Sequence, residues 1–241
     1  SNTAVGYYSL YTVTTGNNLT AVGYKALEAN TAANNVAVGT NALKLNSTGS
    51  NNTSVGTNSL DANTTGASNV AVGYRALSAN STASSNTAVG KDAMLINSTG
   101  AENVAVGAEA LDANTTGNEN VALGYGAMSN NSTGGYNTAV GKSALSSNTT
   151  AEDNTAVGKS AMASNTTGTK NTAVGKDALG VNVSGDQNTA LGGRTLQANT
   201  TASHNTAVGE AALYANTTSD NNTAVGSQTL ATQSSGGSEN T

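Results

Sequence analysis

The chemistry that this chain could carry is concentrated in one recurring tripeptide. An N-x-[ST] sequon begins at Asn46, Asn63, Asn80, Asn97, Asn114, Asn131, Asn148, Asn165, Asn182, Asn199 and Asn216. An asparagine amide followed two residues later by a hydroxyl is the acceptor pattern for an N-linked glycan. The third residue is Thr in ten of these and Ser184 in the other, whereas the middle residue varies among Ser, Thr and Val183. The pattern is lost at Val13 and Asn30 in the first two copies, and at Gln233 in the last. Two readings of the row stand side by side. In one, glycans on these asparagines, or on the adjacent threonines, coat a fibre. In the other, the asparagines stack as a ladder that closes a turn, with Thr favouring extended backbone. A sugar on every rung at a spacing of about 4.8 Å would be crowded.

Little else in the chain offers reactive groups. The single histidine, His204, lies in a variable turn beside Asn205. The acidic pair Glu152–Asp153 lies in the corresponding turn and does not recur in register. The Asp-rich turns of calcium-binding β-rolls are missing. No G-x-x-x-x-G-K-[ST] accompanies the many glycines, so none of them belongs to a phosphate loop. Catalysis needs unlike groups brought together, and a uniform array supplies none. The chain is therefore read as a non-enzyme without catalytic, cofactor-binding or metal-ligating residues.

The sequons belong to a larger period. Gly6, Gly23, Gly39, Gly56 and their successors through Gly226 recur every 17 residues, with one interval of 16 between Gly23 and Gly39. Fourteen copies fill residues 1–241 as a single array, the mark of a solenoid whose repeats stack on one another. Numbered 1 to 17, the repeat reads N-T-A-V-G-x-x-A-L-x-x-N-T-T-G-x-x. Position 4 is Val in twelve copies and Leu in two; position 9 is Leu in eleven and Met94, Met128 or Met162 in the rest. The chain opens SNTAVG and closes SENT, so it is read as an excerpt of a longer array.

Charge placement refines the pattern. Of 23 charged residues, 22 fall at positions 6, 7, 10, 11, 16 or 17; Glu239 sits in an insertion at the last boundary. Burying an unpaired charge is costly, so those positions should face water. The others should face the interior, a tight turn or a partner. A net charge of −5 with scattered signs leaves no basic stripe for nucleic acid. No apolar run is long enough to insert in a bilayer, and the absence of Cys removes disulfides and thiolate metal sites.

Positions 1–5 alternate as a strand does, with 2 and 4 on one face and 1, 3 and 5 on the other. Positions 6–11 (YKALEA, AEALDA, EAALYA) are rich in helix formers. The predicted fold is a repeat protein, a parallel β-solenoid or β-roll. Each 17-residue rung has one short strand plus a helical or 3₁₀ turn. Stacked strands sit about 4.8 Å apart and packed helices about 8–10 Å apart, so at most one helical turn fits. The predicted core pairs position 4 (Val72, Val89, Val140, Val157) with position 9 (Leu77, Leu145, Met162, Leu179). That is a thin core for seventeen residues, and Ala at 3 with Gly at 5 offers a strip that another chain could approach.

The phrase NTTGTKNTAVG resembles the head repeats of trimeric autotransporter adhesins, and similar repeats occur in some phage tail fibres. The resemblance implies a left-handed parallel β-roll, three chains side by side, and attachment at a bacterial surface. The xxALxx segment and the length of the repeat depart from that family's pattern. The functional expectation is a structural fibre segment, extracellular or at the cell surface. It would self-associate end to end or laterally, as a fibre or a trimer. An adhesin head or phage tail fibre is the alternative. An ice-binding solenoid is a further one, weakened where Val36, Val70, Val104 and Val121 interrupt the Thr row.

Overall fold

The computed structural model describes residues 1–232. Gln233 and Glu239 lie outside the described residues. The chain divides into two compact units, Ser1–Glu119 and Asn120 onward. Each unit is a parallel β-solenoid with one strand per repeat.

The first unit holds β1 (Asn2–Val5), β2 (Leu19–Val22), β3 (Val36–Val38), β4 (Thr53–Val55), β5 (Val70–Val72), β6 (Thr87–Val89) and β7 (Val104–Val106). The second holds β8 (Val121–Leu123), β9 (Thr138–Val140), β10 (Thr155–Val157), β11 (Thr172–Val174), β12 (Thr189–Leu191), β13 (Thr206–Val208) and β14 (Thr223–Val225). Within each unit the strands pair in chain order, parallel and in register, so that Ala156 opposes Ala139 on one side and Ala173 on the other. The 16-residue interval does not disturb this register, since Thr20, Ala21 and Val22 pair with Val36, Ala37 and Val38. The missing residue is taken out of the turn between Asn30 and Asn35. There the Asn30 side chain donates to the carbonyl two residues on, Ala32 O, at 2.7 Å.

No helix occurs among the described residues. Positions 6–11 form isolated turns closed by i→i+3 bonds, such as Ala144 N to Gly141 O and Asn148 N to Leu145 O, both at 3.2 Å. Of the helical or 3₁₀ turn expected there, only single turns of the tighter kind are present. The cause is a backbone in which left-handed residues alternate with right-handed ones. In each rung, positions 7, 9 and 17 have positive φ, for example Ser143 at 56°, Leu145 at 52° and Asp153 at 58°. A helix cannot propagate through such residues. The segment is instead laddered between rungs: Ser143 N donates to Tyr125 O at 3.0 Å, and Leu145 N to Ala161 O at 2.9 Å. These backbone groups find partners in neighbouring rungs, so the i→i−4 pattern is not needed to satisfy them.

The interior is built from positions 1, 3, 8, 9, 12 and 15. Leu77, Leu145, Met162 and Leu179 are fully buried, as are the alanines at positions 3 and 8 beyond the first copy, such as Ala139 and Ala144, whereas Ala4 in the terminal strand is exposed. Val72, Val89, Val140 and Val157 are only half-buried and belong to the outer face of the sheet. The core therefore pairs position 9 with the alanines rather than with position 4. A rung this narrow admits one large aliphatic side chain, and the strand facing it must present a small one. The strip formed by Ala at position 3 is accordingly internal to the chain from β2 onward.

Gly at position 5 is required by both conformation and space. Gly158 has φ of 132°, and a Cβ there would stand 2.6 Å from Gly175 O in the next rung. L-residues rarely adopt that conformation, and no side chain fits under the neighbouring carbonyl.

Candidate functional site

All eleven sequon asparagines are completely buried. Each sits at the start of a turn and points its amide inward. Asn63 Nδ2 donates to Asn46 Oδ1 of the preceding rung at 2.8 Å and to Gly66 O in its own turn at 2.9 Å. Asn148 does the same toward Asn131 Oδ1 at 2.7 Å and Ala151 O at 3.1 Å. An Nδ2 with both hydrogens committed inside the protein is not available to carry a sugar in the folded rung. Of the two readings of the row, the ladder is the one whose contacts the structure displays.

A second asparagine row, at position 1, runs beside the first. Asn52 Oδ1 accepts from the backbone N–H of Asn69 at 2.9 Å, while Asn52 Nδ2 donates to Gly66 O at 2.8 Å. The turn carbonyl at position 15 thus receives one amide from each row. The arrangement repeats in the second unit, where Asn137 and Asn148 both reach Ala151 O. Buried polar side chains are tolerated at this density because their hydrogen-bonding capacity is largely used. A gap occurs at Asn199 Oδ1, which has no partner among the described residues. Leu19 replaces the position-1 asparagine once; its backbone N–H still reaches Asn2 Oδ1 at 3.1 Å.

Two surfaces stand out on the solvent side. The first is the outer face of the sheet, made by positions 2 and 4. Its Thr, Val and Leu residues are half-buried to exposed, with Val106 at 39% and Val174 at 38%. In the second unit Thr138, Thr155, Thr172, Thr189, Thr206 and Thr223 form an unbroken in-register file. In the first unit Val36, Val70 and Val104 alternate with threonines. The sequence reading missed this face because absence of charge suggested burial. The only signal available was the strict alternation, which sorts residues into faces without saying which face is inside.

The second surface is the turn at positions 13 and 14. Position-13 hydroxyls are half-buried and bond the backbone of the next rung, as Thr149 Oγ1 does to Thr166 O at 3.1 Å. Position-14 side chains are exposed from Thr48 through Thr116 and from Thr133 through Thr218.

Charged side chains pair both within a rung and between neighbouring rungs, and Asp92, at a position expected to face water, is buried. Arg75 Nε donates to Asp92 Oδ1 at 2.8 Å, Lys91 Nζ lies 3.1 Å from Asp92 Oδ2, and Arg194 meets Glu210 at 3.0 Å. The Arg75 guanidinium, helped by Lys91, holds the Asp92 carboxyl below its ordinary value against the opposing effect of burial. Burial pushes the Asp112 carboxyl up, and its Oδ1 has no partner among the described residues. His204 and the Glu152–Asp153 pair are exposed in turns. Among the described residues no three His, Cys, Asp or Glu side chains converge in a group that could hold a metal ion. No helix among them is long and apolar enough to cross a membrane. No protein-family model, curated protein or solved structure matches the chain.

Proposed function

We propose that this chain is a structural segment of an extracellular or cell-surface fibre, and that it associates laterally with further copies of itself through the outer face of its sheet. The carrying observation is the composition of that face. Positions 2 and 4 hold only Thr, Val or Leu in all fourteen copies, although their side chains reach solvent. Positions of similar exposure, 10 and 16, accept Glu, Lys and Asp freely, as at Glu28, Lys44, Glu152 and Asp186. A flat, uncharged, β-branched face is what one surface presents to another, and exposed sheet faces without such a role tolerate charge. The chain is proposed as non-enzymatic because its potentially reactive side chains are scattered along exposed turns.

Sedimentation equilibrium tests the association. The wild-type chain should sediment as a multiple of 23.5 kDa, and a Val157→Lys/Val174→Lys variant as a single chain. Wild-type protein that stays a single chain at all concentrations overturns the proposal. The unbroken Thr file of the second unit favours one other reading of the same face, as an ice-binding array. Thermal hysteresis indistinguishable from buffer would rule that out.

A further inference from the structure

From the third copy through Thr218 the hydroxyl at position 14 is not explained by the fold; in the first copy Thr15 Oγ1 donates to Thr31 O at 3.2 Å, and the second has Ala32. It is present from Thr48 through Thr116 in the first unit and from Thr133 through Thr218 in the second, at seventeen-residue steps. All of these side chains are exposed. Their hydroxyls bond no protein atom among the described residues, in contrast to the neighbouring hydroxyls at position 13. The sequons themselves give no reason for it either, because the asparagine two residues earlier is sealed inside.

One rung separates the property that is kept from the property that is not. At positions 13 and 14 it carries Val183 and Ser184 in place of the Thr–Thr or Ser–Thr pair of the other sequon rungs. Val183 keeps the β-branch and gives up the hydroxyl, although position 13 is where hydroxyls serve the fold. Its backbone N–H still donates to Thr200 O at 2.8 Å. Ser184 gives up the β-branch and keeps the hydroxyl, where the fold makes no use of one. β-propensity would have favoured Val over Ser at position 14. What is held there is therefore the oxygen.

We infer that the position-14 hydroxyls are acceptors for O-linked sugars, forming a line of glycans along the turn edge of each unit. In the transfer, Oγ1 of Thr (Oγ of Ser184) attacks the anomeric carbon of a nucleotide-activated sugar. The new C–O bond replaces the bond to the nucleoside diphosphate, which leaves with the electron pair. The hydroxyl proton passes to a base of the transferase. A neutral sugar fits this row better than phosphate. Phosphates would place about −1.5 to −2 charges on successive rungs only about 4.8 Å apart. That spacing also crowds sugars, so occupancy of alternate rungs, about 10 Å apart, is the expected pattern. The inference does not depend on lateral association, because it concerns a different edge of the rung.

The test is intact-mass measurement of the chain as its own cells make it, followed by fragmentation that locates the increments. The expected result is a mass above the bare 23.5 kDa by whole sugar residues, removed by alkaline β-elimination and mapped to position 14. Thr150→Val/Thr167→Val should lose the increments at those rungs, whereas Thr149→Val/Thr166→Val should keep them. A mass equal to the bare chain, or sugars confined to other residues, overturns the inference. So does a fall in the denaturation midpoint of unglycosylated Thr150→Val/Thr167→Val, since the hydroxyls would then serve the fold.

Discussion

Asn52 and Asn63 donate their side-chain amides to the same oxygen, Gly66 O, at 2.8 and 2.9 Å. Both amides belong to the same repeat, Asn52 at its first position and Asn63 at its twelfth, so this carbonyl ties the start of the repeat to the turn that ends it. Asn63 also reaches back to Asn46 Oδ1 of the preceding rung at 2.8 Å. Repeated along each unit, the contact turns two rows of polar residues into part of the core. A sequence that reads as hydrophilic thereby becomes a packed interior.

Breaking one contact should be costly. Asn148→Ala removes the donor to Asn131 Oδ1 and one of the two donors to Ala151 O, which keeps Asn137, all inside the protein. Each buried polar group left without a partner costs about 1–3 kcal/mol, so denaturant midpoints should fall clearly. A midpoint equal to wild type would contradict the ladder.

The two faces of the strand should respond oppositely to substitution. Leu145→Ala empties a fully buried site and should cost about 2–5 kcal/mol. Val140→Thr, on the outer face, should change the stability of the single chain by about 0.5 kcal/mol or less. Equal losses at the two positions would restore position 4 to the core.

Glycine is required at position 5 and dispensable at position 7. Gly158→Ala places Cβ against Gly175 O in a conformation that L-residues avoid, costing about 1–3 kcal/mol from the backbone alone. Gly126, with φ of 60° and nothing near its absent Cβ, should accept Ala for about 1–2 kcal/mol at most. Urea unfolding of the two variants compares them directly.

Acidification separates two carboxylates. The pKa of Asp92 is lowered in the folded chain by Arg75 and Lys91. Its stabilising contribution is present above the unfolded value and is lost as pH falls through the folded one. Asp112 is shifted the other way by burial. It penalises the folded state at neutral pH, and the penalty fades as pH falls through its raised value toward the unfolded one. Asp92→Asn should therefore lower stability at pH 7 and Asp112→Asn raise it, with both differences shrinking in acid. Unfolding midpoints measured from neutral to acidic pH check both signs.

The period, a strand within positions 1–5 (2–4 in most copies) and the burial of Leu or Met at position 9 were all legible in the sequence. The strand pattern showed that Thr and Val share a face opposite Asn and Ala. It could not show which face was inside, and the usual ranking of Val over Ala and Asn pointed the wrong way. Two facts beyond the pattern decide the matter: the rung has room for one large side chain, and the asparagines satisfy one another. The turn was misread for a different reason. Leu145 and Ser143 occupy left-handed conformations that their residue types do not advertise, and only the inter-rung backbone bonds explain why the chain accepts them.

The central claim is that the outer sheet face, rather than the turn edge, meets another copy of the chain. The chain contains no cysteine, so single-cysteine variants can be cross-linked cleanly with a short bismaleimide. Thr206→Cys, exposed on the outer face, should give covalent dimers at concentrations where the protein self-associates. Thr201→Cys, exposed at position 14 one rung earlier, should not. Dimers from Thr201→Cys in equal yield, or none from Thr206→Cys, would contradict the account.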